Sequence, residues 1–292
     1  GAYFPYLVAE HSAGGTSDIE FAVLNSAVDL SGKASLASAK SFPNSLWILL
    51  GDAYECKVFH PNRGNFWGRD LFYSRMGLPP GNYFDGKKMG FIAAGMEGWT
   101  VPDARLYDYV LGRARTETKP FFYYVITISS HLSYHYVDGY YSDDRFAGER
   151  EEALFRSFAY VDSTLPDFIE AALAIPDTYV IVFGDHTPGN FDVAGYRTAL
   201  LDEGGARLEL VPLLVLGPGI KPSEDRQRVH SQLDIEPTIL GLADVRVSYR
   251  SDGADLLIDP SGGGRTSGLH RWYDLRQGDP AARSRDRLFF SL

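Results

Sequence analysis

Four short stretches carry side chains able to do chemistry. In Gly14-Gly15-Thr16-Ser17-Asp18-Ile19-Glu20-Phe21, a threonine hydroxyl follows two glycines and precedes an apolar run that reaches Leu24. Ser17 and Glu20 have capping-box spacing, which predicts a helix opening here with Thr16 at its N-terminus. Free amides and the helix dipole at such a place attract phosphate. A threonine hydroxyl is a weak nucleophile until a base or a metal takes up its proton. Thr16 therefore reads either as a nucleophile with partners elsewhere or as an ordinary helix-start residue.

The second stretch is Gly184-Asp185-His186, directly after the apolar run Thr178 to Phe183. A carboxylate and an imidazole together suit Zn²⁺ or Mn²⁺; the plain alternative is a capping Asp beside a loop His. The third is His131, behind Ser129 and Ser130, where an imidazole can hold an anion or move a proton. His135 stands four positions further on, but the intervening Leu-Ser-Tyr reads as loop, so His135 is taken as a surface residue. The fourth is Phe59-His60-Pro61-Asn62-Arg63-Gly64-Asn65-Phe66-Trp67-Gly68-Arg69-Asp70. An arginine such as Arg69 grips phosphate through two parallel hydrogen bonds, and a tryptophan such as Trp67 walls a pocket. Phe66 reads as packing.

Three of these stretches follow short apolar runs rich in β-branched and aromatic residues. Glu55 to Phe59, Phe121 to Ile128, Thr178 to Phe183 and Val211 to Leu216 read as strands, the last three as parallel strands covered on both faces. Helical patterns lie between them at Asp103 to Ala114, at Arg145 to Ala174 (Phe155, Phe158, Val161, Leu165 and Phe168 on one side), and from Glu236 onward, with Pro237 in the first turn. Strands alternating with helices predict an α/β fold with a mostly parallel central sheet flanked by helices, and ligands of such sheets gather beyond the carboxyl ends of the strands. Ser261 to Gly268 reads as a glycine-rich loop. Arg271 to Tyr273 and Leu288 to Leu292 read as strands of a small antiparallel C-terminal appendage.

Composition excludes several classes. The chain has 292 residues with a net charge of −10 and no basic stripe, which argues against a nucleic-acid partner. Its single cysteine, Cys56, excludes a disulfide framework and a cysteine zinc site, and reads as a small buried residue. No run approaches the ~20 apolar residues of a membrane span, and the first residues lack the pattern of a secretory signal.

Taken in order, the four stretches and Ser231-Gln-Leu-Asp-Ile-Glu-Pro-Thr238 resemble the lipoteichoic acid synthase and phosphoglycerol transferase family, a relative of sulfatases and alkaline phosphatases. The resemblance covers residues 3 to 245. It implies an alkaline-phosphatase/sulfatase-like fold. It implies that Thr16 is the nucleophile and also touches the metal, and that Asp185 and His186 are further ligands of a divalent metal, Mn²⁺ first with Zn²⁺ or Mg²⁺ as alternatives. It makes His60, Trp67, Arg69 and His131 the holders of a phosphate or glycerol-phosphate group. The implied partners are a phospholipid head-group donor and a glycan or polymer acceptor. The implied location is extracytoplasmic, periplasmic or at the cell surface, with membrane association through an N-terminal segment upstream of this chain.

That family carries a metal-binding Glu at the end of its first strand, well before the nucleophile. Fifteen residues precede Thr16, and Glu10, the sole acidic one, stands too close to match. The expectation is therefore a catalytic domain over 1–250 that lacks its first strand, with 251–292 as its C-terminal extension. The formylglycine-using sulfatases are disfavoured, since Thr16 is followed by Ser17 and Asp18 rather than the Pro-x-Arg they need. Two rival readings stand beside phosphoglycerol transfer. One is a phosphoethanolamine transferase or phosphodiesterase of the same superfamily. The other is a silent glycerol-phosphate-binding module, motivated by the missing Glu.

Overall fold

In the computed structural model, residues 1–11, 15–28, 42, 44–131, 134, 149–187, 200–203, 206–258, 265–268, 271–274 and 290–291 are described. The elements in chain order are β1 (Ala2–Val8), α1 (Thr16–Asn25), α2 (Leu46–Leu50), β2 (Glu55–His60), α3 (Arg69–Arg75), β3 (Tyr83–Asp85), α4 (Asp103–Ala114), β4 (Phe121–Val125), α5 (Glu149–Leu173), β5 (Val180–Phe183), β6 (Leu200–Glu203), β7 (Ala206–Leu216), β8 (Ser223–Glu224), β9 (His230–Ser231), α6 (Ile235–Leu242), β10 (Arg265–Gly268), β11 (Arg271–Asp274) and β12 (Phe290–Ser291). They form two compact units: Gly1–Leu50 with Arg75–Gly77 and Ile181–Leu292, and Gly51–Ser74 with Leu78–Val180.

In the first unit β1 is an inner strand. It runs antiparallel to β7, with Val8 opposite Leu210, and parallel to β9, with Val8 opposite Ser231. Its register with β7 shifts between Phe4 and Leu7, around Pro5, which has no amide hydrogen to give the ladder. Val8 packs with Leu208 and Val229 at the end of the strand. This sheet is mixed, because β6 and β1 both run antiparallel to β7 while β8 and β9 run parallel to β1. The expected parallel strand Val211 to Leu216 is thus the latter part of a longer antiparallel one. An apolar run reports burial, not direction.

The helix after β1 begins at Thr16, with Gly15 before it at φ 53 and no side-chain cap. The expected Ser17/Glu20 capping box does not form: Ser17 lies inside the helix, and both residues are buried. A capping box forms instead at Ser231 and Asp234, ahead of α6. Asp234 also accepts the amide of Ala254 at 2.8 Å, and Thr238 Oγ1 accepts that of Leu256 at 3.0 Å. These bonds give the Ser231–Thr238 stretch a structural purpose.

The second unit holds a small parallel sheet in the order β3-β2-β4. Phe59 stacks on Phe84 with ring centroids 5.1 Å apart, and both pack with Met89, Leu106 and Val110 of the facing segment and α4. β4 is half-buried along its length rather than fully covered, and ends at Val125. α5 turns Leu154, Ser157 and Tyr160 inward, whereas Phe158 faces out. The predicted face was offset by one position there, although Phe168 does stack on Tyr107 at 4.4 Å. Burial pushes the Cys56 thiol up to about 12, with the Glu55 charge adding to it, so this side chain is an unreactive core residue.

At the C-terminus β10, β11 and β12 form a three-stranded antiparallel sheet. The two expected strands are present, and Arg265 to Gly268, read as loop, is the third. Residues 261–264 of that expected loop lie outside the described residues, as does His135.

Two buried carboxyls generate predictions. Asp103 opens α4 and is fully buried. Its Oδ1 accepts the amides of Ile128 and Ser129 at 2.9 and 3.1 Å, while its own amide donates to Ser129 Oγ at 3.0 Å. Oδ2 has no hydrogen-bond partner, and burial raises this carboxyl above its usual range despite the two amides. Asn can accept the same two amides but puts an unpartnered amide nitrogen where Oδ2 stands, so Asp103→Asn should lose less stability than Asp103→Ala at neutral pH. Asp103→Ala leaves two buried amides unsatisfied, at about 1–3 kcal/mol each, and urea unfolding of Ala equal to wild type would refute this. Glu236, on α6, is also fully buried, with neither oxygen bonded, and burial pushes it up to about 9. The unfolded chain releases that proton near pH ~4.3. Between these values the folded state binds the extra proton, so its stability falls as pH rises. Glu236→Met should therefore stabilise the protein more at pH ~8.5 than at pH ~4.5; an equal gain at both, by thermal melts, would contradict the assignment.

Candidate functional site

The sheet register gathers three chain segments at one end of β1. Beyond Val8, the amide of Ala9 donates to the Glu209 carbonyl at 2.9 Å, and the amide of Glu10 donates to Gln232 Oε1 at 2.7 Å. Gln232 Nε2 in turn donates to the carbonyls of Gly184 and Asp185 at 2.9 and 2.8 Å. One buried amide side chain thus ties the end of β1 to the turn after β5. That turn lies close against β7: a Cβ on Gly184 would stand 2.9 Å from Val211 Cβ, so glycine is required there. Glu10 is buried beside Ser231, whose hydroxyl donates to Glu10 Oε1.

Against this base Thr16, Asp185 and His186 converge. Thr16 Oγ1 donates to Asp185 Oδ2 at 2.8 Å and lies 3.3 Å from His186 Nε2, and Nε2 is 3.5 Å from Asp185 Oδ2. His186 Nδ1 faces the Thr187 carbonyl at 2.8 Å. A carbonyl only accepts, so Nδ1 carries a proton, and Nε2 is the nitrogen turned toward Thr16 and Asp185. The amide of His186 is held by Asp185 Oδ1 at 2.8 Å. One hydroxyl, one carboxylate and one imidazole lone pair, on partly exposed side chains, fit a divalent cation of borderline softness. Among the described residues no three His, Cys, Asp or Glu side chains cluster, so a cation held here would need the Thr16 hydroxyl beside the carboxylate and imidazole.

Behind it lies Glu209. Its Oε2 accepts the Thr187 amide at 2.8 Å, the Thr187 hydroxyl at 2.6 Å and His11 Nε2 at 3.2 Å. Burial would raise this carboxyl, but the bonds from His11 and Thr187 and the His11 charge outweigh burial and bring it to about 2. The His11 ring lies 5.4 Å from that of His186.

In the second unit the other sequence-derived residues fall together. His60 ends β2, and its Nδ1 faces the Ile126 carbonyl at 3.3 Å. Burial first, then the charge of Arg69, holds the imidazole well below the usual histidine range, with His131 adding to it. His60 is therefore neutral, with Nδ1 protonated and Nε2 as acceptor. Arg69 is buried at the start of α3, with its guanidinium 5.7 Å from the Phe66 ring centre. Trp67 sits at φ 58 in a tight turn, with its side chain 53% exposed. His131 stacks on Trp99 at 4.5 Å, and Trp99 meets the edge of Phe66 at 5.1 Å. Phe66 is thus the packing residue its sequence suggested. Asn62 is buried, and its Oδ1 accepts the amides of Arg63 and Gly98 at 2.8 and 2.9 Å, fixing the turn.

Sequence reasoning did not single out Glu209, Gln232, Asn62 or Trp99. Glu209 left one signal, a lone charge in the apolar run Leu208 to Leu216. Trp99, among glycines and prolines, left none.

The sulfatase family model matches residues 6–245. The lipoteichoic acid synthase-like protein YvgJ of Bacillus subtilis is 25% identical over 257 residues, 83% of this chain and 41% of YvgJ. The structure resembles lipoteichoic acid synthase LtaP of Listeria monocytogenes with a TM-score of 0.74 at 21% identity, covering 94% of this chain and 73% of LtaP. It also resembles the Streptococcus pyogenes phosphoglycerol transferase GacH, solved with sn-glycerol-1-phosphate, with a TM-score of 0.60 at 18% identity over 85% of this chain and 66% of GacH. The chain spans about two fifths of the length of the curated relatives it matches. With the model matched over most of its length, this chain belongs to the sulfatase family.

Proposed function

We propose that the chain is catalytic, and transfers a phosphoglycerol-type group from a phospholipid head group to a glycan or polymer acceptor, with Thr16 as the nucleophile. The observation that carries this reading is the convergence of Thr16 Oγ1, Asp185 Oδ2 and His186 Nε2 within 3.5 Å. The relatives named for lipoteichoic acid synthesis and phosphoglycerol transfer support the substrate class.

In the first half-reaction Thr16 Oγ1 bonds to phosphorus and the bond from phosphorus to the donor alcohol breaks. Thr16 gives up one proton and the alcohol leaves with one. In the second, the acceptor hydroxyl bonds to phosphorus and loses its proton, and the phospho-threonine bond breaks to return a protonated Thr16. Asp185 Oδ2 receives the Thr16 hydrogen bond and so aims an oxygen lone pair outward. Thr16, Asp185 and His186 would hold the divalent cation, with Mn²⁺ preferred over Zn²⁺ or Mg²⁺, and it would supply a lowered hydroxyl pKa and neutralise phosphoryl charge.

The binding roles of His60, Trp67, Arg69 and His131 rest on the family resemblance and on residue chemistry. Arg69 carries permanent charge for phosphate oxygens, and His131 is exposed. Neutral His60 offers an Nε2 lone pair, which suits a glycerol hydroxyl better than a phosphate oxygen. Anchorage to a membrane on its extracytoplasmic side rests on the resemblance alone. No helix among the described residues is long and apolar enough to cross a membrane.

Metal titration and turnover on phosphatidylglycerol-type and phosphatidylethanolamine-type head groups test the reading. Roughly one Mn²⁺ per chain is expected, lost in Asp185→Ala. Thr16→Ala should cut transfer on the order of 10³-fold or more while leaving the fold intact. Wild-type transfer in Thr16→Ala would remove the nucleophile assignment. Mn²⁺ uptake with no turnover on either head group would make the chain a binding module. Turnover confined to the ethanolamine type would make it a phosphoethanolamine transferase.

A further inference from the structure

We infer that Glu209 is a positioning residue for His186, acting through Thr187 to fix which imidazole nitrogen faces Thr16. The inference rests on the reading of Thr16, Asp185 and His186 as the cation site. β7 buries Leu208, Val211, Leu213 and Val215 in the core. A carboxylate within so apolar a strand is costly unless it is bonded. Glu209 is bonded three times on one oxygen, and two of those donors belong to Thr187. Its main chain is anchored as well, through the Ala9 amide.

The consequence runs in two steps. Glu209 holds Thr187 at both its amide and its hydroxyl, which fixes the residue's Cα and the bond leading from it to the carbonyl carbon. The Thr187 carbonyl then accepts a hydrogen bond from His186 Nδ1 at 2.8 Å, which leaves Nε2 as the nitrogen facing Thr16 Oγ1 at 3.3 Å. The Nδ1 bond is the one hydrogen bond described for the His186 ring that lies outside the donor set, since Nε2 faces Thr16 Oγ1 and Asp185 Oδ2. Glu209 also orients the His11 ring that lies against His186. A cation needs the unprotonated nitrogen, and outer partners of this kind set ligand orientation and affinity.

The test uses the 292-residue chain, first metal-free, by ¹⁵N–¹H correlation of the histidine rings, then by calorimetric titration with Mn²⁺ alone. Wild type and Glu209→Gln, which keeps an acceptor for Thr187, should hold His186 as the Nδ1–H tautomer. Glu209→Ala should give a tautomer mixture and bind Mn²⁺ about 10–100-fold more weakly. A Glu209→Ala protein with the wild-type tautomer and wild-type Mn²⁺ affinity overturns the inference. If Glu209→Ala does not fold, Thr187→Val removes one of the two bonds to the carboxylate. A shift toward Nε2–H with weaker uptake then upholds the assignment, and no change in either overturns it. If wild type itself takes up no Mn²⁺, the cation-site reading has failed, and the tautomer of metal-free Glu209→Ala decides the positioning role by itself.

Discussion

The pairing of β1 with two neighbours at once is the constraint on which the first unit depends. Val8 stands opposite Leu210 on one side and Ser231 on the other. Because side chains alternate along a strand, a slip of one residue would turn every side chain to the wrong face. It would carry Glu10 away from Ser231 and Gln232, and His11 away from Glu209. Gln232 would then lose the amide of Glu10 while still holding Gly184 and Asp185. The meeting of these three side chains therefore depends on strand register: the helix after β1 delivers Thr16, and the strand beside β7 delivers Asp185 and His186.

The polar groups around the trio form a closed set rather than a loose collection. The amides of Ala9 and Glu10 and the hydroxyl of Ser231 each find an acceptor on a different segment, so the segments brace one another. Buried polar networks of this sort are stabilising only when nearly every member is satisfied. Glu10, Ser231, Gln232, Thr187 and Glu209 meet that condition here, with bonds running between residues more than twenty apart in sequence. The second unit is braced differently, by Phe59 stacked on Phe84 with Tyr123 meeting it edge-on, and by the reciprocal bonds between Asp103 and Ser129 that pin the segment before His131.

Much of this was readable from residues alone, for physical reasons that differ by position. Asp103–Ala114 was found with its exact limits because its apolar residues repeat at helical spacing. Thr16, Asp185 and His186 stood out because unusual residue types follow glycine turns or strand ends, and their side chains lie together. Strand direction was not readable, since Val211–Leu216 looks equally buried whichever way it runs. The helix start was displaced because Gly15, at φ 53, begins the helix without any side-chain cap, and Ser17 and Glu20 match a cap only by spacing. The partners Glu209 and Gln232 were missed because their importance lies in what they touch across more than twenty residues of chain. Trp99 was missed because a stacking partner for His131 has no sequence spacing to mark it.

Trp67 carries a consequence of its own. A bulky residue in the left-handed region costs on the order of 1–3 kcal/mol and persists only where its surroundings fix it. Here the amide of Gly68 bonded to Asn65, the Phe66 ring edged against Trp99 and the Asn62 bonds to Arg63 and Gly98 do so. The indole is thus presented to solvent in a conformation settled during folding. A ligand that meets it has no loop to order and no backbone freedom to quench. The entropy that a floppy turn would lose on contact has at this position already been lost in folding.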